Sequence, residues 1–347
     1  MTLDFLKKDF EESLEFNLEN DQLIRIGEST FTPLDVLKND QTAYDEEYLR
    51  WFDQIWVKKR LFVLDQILQI YDNESEFDTL CNSFSSKRLI PFVGAGMSIP
   101  TGMPSWKKFL IDLCPRTRIP VDEIKKMLGR GAFEDAASAQ FSEMPDKQFN
   151  RIFHNRYRKL DTKPIVGPIK FLPDLFQNLI ITTNFDNILE ELYKSCDLDF
   201  KHILKGQSID EYRLHKVDSG KFLLKIHGDY RIKSSRVLTK EEYDRFYAKD
   251  SVAIKELSLI ISNNNLLFIG CSLTNDRTMK LLKKLADHDE NFSNHYAFLL
   301  DPKNERKLLA REKILSKCNI FPIWYQEEHN SSIEALFIGM LKRRGDI

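Results

Sequence analysis

The pattern of apolar and polar residues divides the chain into a helical front end and an alternating body, with the change near residues 75–88. Between residues 45 and 72, apolar side chains recur at helical spacing and cover more than one face, which predicts a helix that packs on two partners. After the change, short apolar runs alternate with amphipathic stretches. The runs read RLIPFVG, NLIITTN, KFLLKIHG, NLLFIGC, HYAFLL and NIFPIWY. This pattern predicts an α/β fold, a Rossmann-like parallel sheet with helices on both faces.

The same pattern predicts the domain organisation. Residues 1–80 are expected to form an N-terminal helical region for oligomerisation or partner docking. Residues 85–325 form the sheet domain, with a helical insertion at about 115–175 that reads as amphipathic segments. Residues 326–347 are expected to form a C-terminal helix packed on that domain.

Composition narrows the classes of partner. Lys and Arg number 51 against 53 Asp and Glu, for a formal net charge of −2, so we expect no direct binding to nucleic acid and no attraction to an anionic membrane. The N-terminus lacks a signal-peptide segment, and no apolar run approaches the roughly 18 residues of a membrane helix, which predicts a cytoplasmic protein. The five cysteines form no C-x-x-C pair, so we expect them to be buried packing residues, with no metal site.

Polar and glycine-rich motifs follow four of the predicted strands. GAGMS begins at Gly94, TTNFD ends at Asp186, HGD begins at His227 and GCSLTND begins at Gly270. In open parallel sheets the ligand crevice lies outside the carboxyl ends of the strands. We therefore expect these motifs to converge in one site.

The glycines of GAGMS suit a phosphate group. Gly94 and Gly96 permit close approach of the backbone, so N–H groups at a helix start become available to phosphate, and Ser98 adds a hydroxyl. The usual dinucleotide fingerprint would place a third glycine where Ile99 stands, and no strand-end acidic residue follows about twenty positions on. An ordinary dehydrogenase site is disfavoured. The alternative for these glycines is a tight strand-to-helix turn that binds nothing.

Beyond the glycines, the order of motifs resembles the sirtuin family. Gly94 to Trp106 is similar to the pattern G-A-G-[IM]-S-x-x-x-G-[IM]-P-x-[FW]. Asn184-Phe185-Asp186 resembles the sirtuin N-[IF]-D loop, His227-Gly228 its catalytic H-G, and Gly270 to Leu273 its later G-[TC]-S-L. The resemblance covers roughly residues 85–325 and does not reach the front end.

Sirtuins cleave the bond between nicotinamide and ribose in NAD, so the resemblance implies a set of NAD-binding residues. By this resemblance Ser272 lies near the adenosine-side ribose, while the GAGMS residues hold the pyrophosphate. The residues implied to bind NAD are Gly94, Ala95, Gly96, Ser98, Trp106, Asp186, Gly270 and Ser272.

The resemblance also implies a reaction centre. His227 would be the general base, and Asn184 would contact the nicotinamide ribose or the attacking water. Asp186 would recognise the carboxamide, and Trp106 would cover the ribose. Each position has a structural alternative, because Asn184 and Asp186 are both favoured at helix N-termini and Trp106 suits a core. Asp276 reads as a helix cap.

Departures from the family are informative as well. Deacylating sirtuins carry a zinc module with two C-x-x-C pairs, which this sequence lacks, and Ser105 and Lys107 replace the Asp and Arg of the sirtuin P-D-F-R segment. In this the chain resembles zinc-free, sirtuin-like proteins of bacterial antiphage defence, which hydrolyse NAD and so deplete an infected cell.

That branch implies a specific function. We expect an NAD⁺ hydrolase that releases nicotinamide and ADP-ribose without zinc. We also expect a homo-oligomer, whose assembly is completed by a partner ATPase of the HerA type or another defence protein. Two alternatives stay open. One is an NAD-dependent protein deacylase, and the other is a non-catalytic sensor of NAD or ADP-ribose.

Overall fold

The protein is described by a computed structural model that covers residues 3–16, 23–158, 164–216, 220–274, 277–289 and 292–347. Its contacts divide it into two compact units. One comprises Met1–Ile67 and Ser331–Ile347, and the other comprises Leu68–Asn330. The domain boundaries drawn from the sequence stay a prediction. The division into compact units falls after Ile67 and assigns Ser331–Ile347 to the same unit as the N-terminal segment.

The first unit is mainly helical, as the front-end pattern predicts. Its elements are α1 (Lys7–Phe16), β1 (Ile24–Ile26), β2 (Ser29–Phe31), α2 (Pro33–Lys38), α3 (Gln41–Trp51) and α4 (Lys58–Leu68). A π-helical segment at Phe52–Val57 joins α3 to α4, so the helix predicted from residue 45 is one run with a wider turn in its middle. The antiparallel hairpin of β1 and β2 was not predicted from the pattern.

The second unit is built on a seven-stranded sheet in which every pairing is parallel. Its strands are β3 (Leu89–Val93), β4 (Leu179–Thr182), β5 (His202–Lys205), β6 (Phe222–Lys225), β7 (Asn265–Ile269), β8 (His295–Leu300) and β9 (Ile320–Tyr325). The order is β5-β6-β4-β3-β7-β8-β9. All six predicted strands are present, and the fold class is confirmed. The edge strand β5 was missed.

The strand order places a topological switch point in the sheet. The first strand of this sheet along the chain is β3, and the next three strands lie on one side of it in the spatial order β4, β6, β5. The chain then returns to place β7 on the other side of β3. Ligand crevices in open parallel sheets lie at the carboxyl ends where the order reverses. The switch therefore falls between the ends of β3 and β7, which GAGMS and GCSL follow.

Helices make up most of the remainder of this unit. They are α5 (Asn73–Ser85), α6 (Trp106–Leu113), α7 (Val121–Gly129), α8 (Phe133–Ser142), α9 (Asp146–Tyr157), α10 (Leu172–Leu175), α11 (Ile188–Ser195), α12 (Tyr212–His215), α13 (Lys240–Phe246), α14 (Val252–Ser262), α15 (Arg277–His288) and α16 (Glu305–Ser316). The chain's last helix is α17 (His329–Arg344). The predicted insertion is helical, since α7, α8 and α9 lie within it.

Apolar packing ties the insertion to the loops at the sheet edge. Phe109 and Phe153 form an aromatic cluster with Phe185 of the TTNFD motif, and Tyr230, which follows HGD, joins the same cluster. Burial of large aromatic side chains dominates the energetics of such a core. The insertion thus fixes the two loops that carry the candidate site residues.

Two further expectations concern cysteines and membranes. Cys81, Cys114 and Cys318 are buried, but Cys196 is exposed, so the expectation that all five are packing residues is wrong at that position. It lies just after the end of α11, where the chain turns at the surface. Within the described ranges, no helix is both long enough and apolar enough to span a membrane.

Candidate active site

The ends of β3 and β7 meet at their glycines. Gly94 N–H donates to Ile269 O at 2.9 Å, and Gly96 N–H donates to Gly270 O at 2.9 Å. A Cβ on Gly94 would lie 2.5 Å from Gly270 O, and one on Gly96 would lie 2.8 Å from Gly270 Cα. Such distances are not tolerated, so close approach of the two strand ends requires glycine here. A tight turn is thus part of their role, and contact with phosphate stays a prediction.

Asn184 connects the second motif to the first. Its side-chain Nδ2 donates to Gly94 O and to Ser98 Oγ, both at 3.1 Å, and its own N–H donates to Thr182 Oγ1 at 3.0 Å. Asn184 Oδ1 is buried without a hydrogen-bond partner in the described chain. A buried amide oxygen left unpaired costs free energy, so a hydrogen-bond donor from water or a ligand is favoured at this oxygen. Helix α11 begins four residues later, so Asn184 is not its cap.

Asp186 lies beside Asn184 and is also buried. Its Oδ1 accepts from Ile188 N–H at 3.1 Å, so the helix-start alternative holds for this residue. Burial raises the pKa of Asp186 from 3.8 to about 6, partly offset by the charge of Lys225 and the Ile188 and Ser98 hydrogen bonds. A carboxylate that is half neutral near pH 6 is suited to pairing with a neutral amide.

His227 follows β6 and lies between two tyrosines. Its Nε2 is 2.9 Å from Tyr247 Oη, and its Nδ1 is 3.4 Å from Tyr243 Oη. Tyr243 is on α13 and Tyr247 directly follows it, and their rings stack with 6.0 Å between centroids. In the described chain, the side-chain hydrogen bonds of His227 thus run to the tyrosines and not to Asn184.

Burial also sets the protonation of His227. It lowers the pKa of the imidazole from 6.5 to about 3, with no charged group contributing. The ring is therefore neutral at physiological pH, with one nitrogen as donor and the other as acceptor. Either tautomer leaves its lone pair facing a tyrosine hydroxyl.

Replacing Asp186 by Asn should stabilise the fold at pH 7–8. The folded pKa of about 6 lies above 3.8, so the native state favours the protonated carboxyl, and this contribution is lost as pH rises through 6. We expect a gain of about 1–3 kcal/mol in the free energy of unfolding at pH 8 and almost none at pH 4. Urea unfolding at both pH values measures it.

The exposed Asp199 supplies the matched control, and Asp199→Asn should change stability at neither pH. Equal stability of Asp186→Asn and the unaltered protein at pH 8 would show that the carboxylate is better solvated than its burial indicates. Because burial lowers the pKa of His227 to about 3, an acidic limb near pH 6 in a ligand-binding profile does not come from that imidazole.

The structure places the other predicted residues in different surroundings. Trp106 packs in the insertion core, stacked on Phe109 at 5.5 Å and against Phe185 at 5.6 Å, so it covers the TTNFD loop from the insertion side. Ala95 lies in a 3₁₀ turn that ends before Ser98. Ser272 is exposed, and its carbonyl accepts from Arg311 at 2.8 Å. Asp276 lies outside the described residues.

A buried charge network beneath the site was missed at the sequence level. Lys225 Nζ donates to Asp186 O at 2.6 Å, to Glu190 Oε1 at 2.9 Å and to Asp229 Oδ2 at 2.8 Å. Arg231 binds Asp229 through Nε at 2.8 Å and Nη2 at 2.7 Å. Lys225 and Asp229 are 1% and 0% exposed. The sequence signal for this network was a lysine inside an apolar strand, four residues before an aspartate.

This network holds the TTNFD loop to the HGD turn. Burial opposes the charge of Asp229, but Arg231 and Lys225 outweigh it and hold the pKa of this carboxyl below its usual range. Gly228 in the same turn has φ of +87°, and a Cβ there would lie 2.2 Å from Ser235 O. The turn that presents His227 is therefore fixed by charge pairing on one side and by close backbone packing on the other.

Comparison with known proteins agrees with this geometry. Residues 178–323 match the family model of the SIR2-like domain. This part of the chain is similar to a SIR2-like domain. The matched segment includes Asn184, Asp186, His227, Gly270 and Ser272, whereas GAGMS precedes it. The resemblance to the sirtuin-like family is thus confirmed from the second motif onward. Among the residues described, no group of three or more His, Cys, Asp or Glu side chains is placed to hold a metal ion.

Relatives of this chain carry the name NAD(+) hydrolase ThsA. The one from Bacillus cereus (strain MSX-D12) is 24% identical over 218 residues, which cover 62% of this chain and 43% of the relative. That from Acinetobacter baumannii (strain 532279) is 21% identical, covering 65% and 45%. The Enterococcus faecium protein is 25% identical, covering 69% and 46%. The chain thus spans less than half the length of these relatives.

Proposed function

We propose that the SIR2-like domain hydrolyses NAD⁺ to nicotinamide and ADP-ribose. The observation that carries this proposal is the buried Asn184 amide, which binds the glycine turn through Nδ2 and keeps Oδ1 unpaired at the switch point of the sheet. A donor such as a ribose hydroxyl or a water satisfies that oxygen. The activity for which the relatives are named and the order of the motifs support the same substrate.

The binding roles in this proposal follow the motif order. The pyrophosphate lies beside the turn at Gly94–Ser98, where Gly94 and Gly96 donate their own N–H groups to Ile269 O and Gly270 O and so hold the turn against the end of β7. Asp186 accepts from the carboxamide of nicotinamide and selects that ring. Trp106 shields the ribose from the side of the insertion, and Ser272 faces the adenosine end.

The reaction needs a leaving group and a proton acceptor. Nicotinamide leaves as a neutral molecule, C1′ of the ribose gains oxocarbenium character, and water attacks the opposite face, which resembles glycoside hydrolysis without an acid. A water that has bonded to C1′ is an oxonium and far more acidic than free water. The neutral His227 is therefore a sufficient base despite its lowered pKa, provided that one nitrogen exchanges its tyrosine partner for the water.

Incubation of the purified protein with NAD⁺, with products resolved by chromatography, tests the proposal. Equal amounts of nicotinamide and ADP-ribose are expected. Deacylation of an acyl-lysine peptide with NAD⁺ would favour the deacylase, and tight NAD⁺ binding without any nicotinamide release would favour the sensor. The missing C-x-x-C pairs disfavour the first alternative, and the presence of both Asn184 and His227 disfavours the second.

The biological setting extends this proposal. The resemblance to zinc-free sirtuin-like proteins supports a cytoplasmic effector of antiphage defence that depletes NAD. Such an activity needs a trigger, for which a partner ATPase of the HerA type or another defence protein is our candidate.

Self-association is expected through the N-terminal unit. Ile55 on the π-helical segment and Phe62 on α4 are seven residues apart, about two helical turns, so they lie on the same face of the helix. Their side chains are 60% and 65% exposed. Exposed apolar side chains close together mark interaction surfaces. Light scattering of the full chain at micromolar concentration should show a homo-oligomer, and Ile55→Asp with Phe62→Asp should convert it to a monomer.

The control is Lys8→Asp on α1, an exposed lysine on a different helix, which should leave the oligomer intact. A well-behaved monomer for the unaltered chain would remove this part of the proposal without touching the NAD⁺ site.

A further inference from the structure

A groove lies between α14 and α15, and the described residues that line it include none from GAGMS, TTNFD, HGD or GCSL. Its volume is about 590 Å³, within the range of small-molecule sites. The floor is apolar and includes Ile254, Leu281 and Leu285. An apolar floor of this size accommodates a flat ring system.

The rim of the groove is basic. Lys249, Lys255, Lys280 and Lys284 line it, and among the described residues none of these four is paired with a carboxylate. Arg277 also lines it, but its charge is taken up by Glu134 and Asp244. The described residues of the lining include no Asp or Glu. Four lysines around an apolar floor attract a small, strongly anionic molecule.

The groove is connected to the candidate base. Tyr247 lines the groove, and its hydroxyl contacts His227 Nε2 at 2.9 Å and Thr278 Oγ1 of α15 at 3.2 Å. A ligand that draws the lysines of α14 and α15 together therefore acts on the residue that engages the imidazole.

We infer that this groove is a second binding site, for a nucleoside di- or triphosphate, and that its occupancy is transmitted to His227 through Tyr247. The base stacks on the apolar floor, and the phosphates pair with Lys255 of α14 and Lys280 of α15. Movement of the Tyr247 hydroxyl then frees His227 Nε2. Only the effect on turnover rests on the proposed NAD⁺ hydrolysis. Binding and its transmission to the imidazole do not.

Titration with the fluorescent probe mant-ADP tests the site. Saturable binding is expected, weakened by salt and displaced by pyrophosphate better than by adenosine. The double change Lys255→Glu, Lys280→Glu should weaken it about 10-fold or more, because each attraction becomes a repulsion. Lys283→Glu, on the same helix but outside the groove lining, is the matched control and should leave binding unchanged.

Three outcomes overturn the site. If mant-ADP binding survives the double lysine change, or if Asn184→Ala abolishes it, the probe binds in the strand-end crevice. No saturation at millimolar mant-ADP removes the ligand class. Binding of polyglutamate in its place, with the same lysine dependence, makes the groove a docking face for an acidic protein.

Transmission to His227 is read by NMR of ¹³C-labelled histidine, independently of turnover. The ring resonance of His227 should shift on addition of ADP to the wild type but not to the double lysine variant. Tyr247→Phe should bind mant-ADP normally and lose the shift. A shift that persists in Tyr247→Phe refutes the path through this hydroxyl, even where NAD⁺ hydrolysis itself is absent.

Discussion

His227→Ala should reduce nicotinamide release from NAD⁺ by about 10²- to 10⁴-fold, the usual effect of removing a positioned base. Substrate affinity should survive, because the glycine turn and Asn184 are held by their own hydrogen bonds rather than by the imidazole. Asn184→Ala should lower turnover similarly and also weaken binding, since its amide orients the water and ribose. The measurement combines nicotinamide release with NAD⁺ affinity by calorimetry.

The control for this prediction is His288→Ala, an exposed histidine at the end of α15. Its turnover should equal that of the unaltered protein, and circular dichroism should show the same fold for all variants. Wild-type rates for His227→Ala would mean that another group accepts the proton. A protein that binds NAD⁺ and never releases nicotinamide would instead favour the sensor.

Lys225→Met should lower the free energy of unfolding by about 3–5 kcal/mol. The ammonium is buried and bonded to Asp229, Glu190 and the carbonyl of Asp186, so its removal leaves a buried carboxylate with less compensation. Urea unfolding followed by circular dichroism measures the loss, which is a large part of the stability of an ordinary domain.

A second variant separates charge from packing. Adding Asp229→Asn to Lys225→Met removes the uncompensated charge and should restore part of the stability. Lys221→Met, just before β6, lacks these partners and should have little effect. If Lys225→Met unfolds at the same urea concentration as the unaltered protein, water or Arg231 already compensates Asp229.

The strand ends were predictable from the sequence because buried parallel strands are short apolar runs with their motifs directly behind them. Once β3, β4, β6 and β7 are recognised, geometry brings GAGMS, TTNFD, HGD and GCSL to one edge. The edge strand β5 was missed because in HILK only Leu204 is buried, so no apolar run marks it.

The surroundings of His227 were not predictable. Tyr243 and Tyr247 are four residues apart, as on any amphipathic helix, and only the packing of α13 brings both hydroxyls to one imidazole. The same holds for Lys225 and Glu190, whose pairing spans 35 residues of sequence. Periodicity carries no information about such tertiary partners.

The contact of Gly94 and Gly96 with Gly270 has a mechanical consequence. Backbone atoms of the two strand ends lie in contact, and the Cys271 thiol occupies the space beside Gly94, so the two ends have little room to slide past each other. We therefore expect any widening of the crevice for a dinucleotide to come from the loops and helices around it, while the strand-end side keeps its shape.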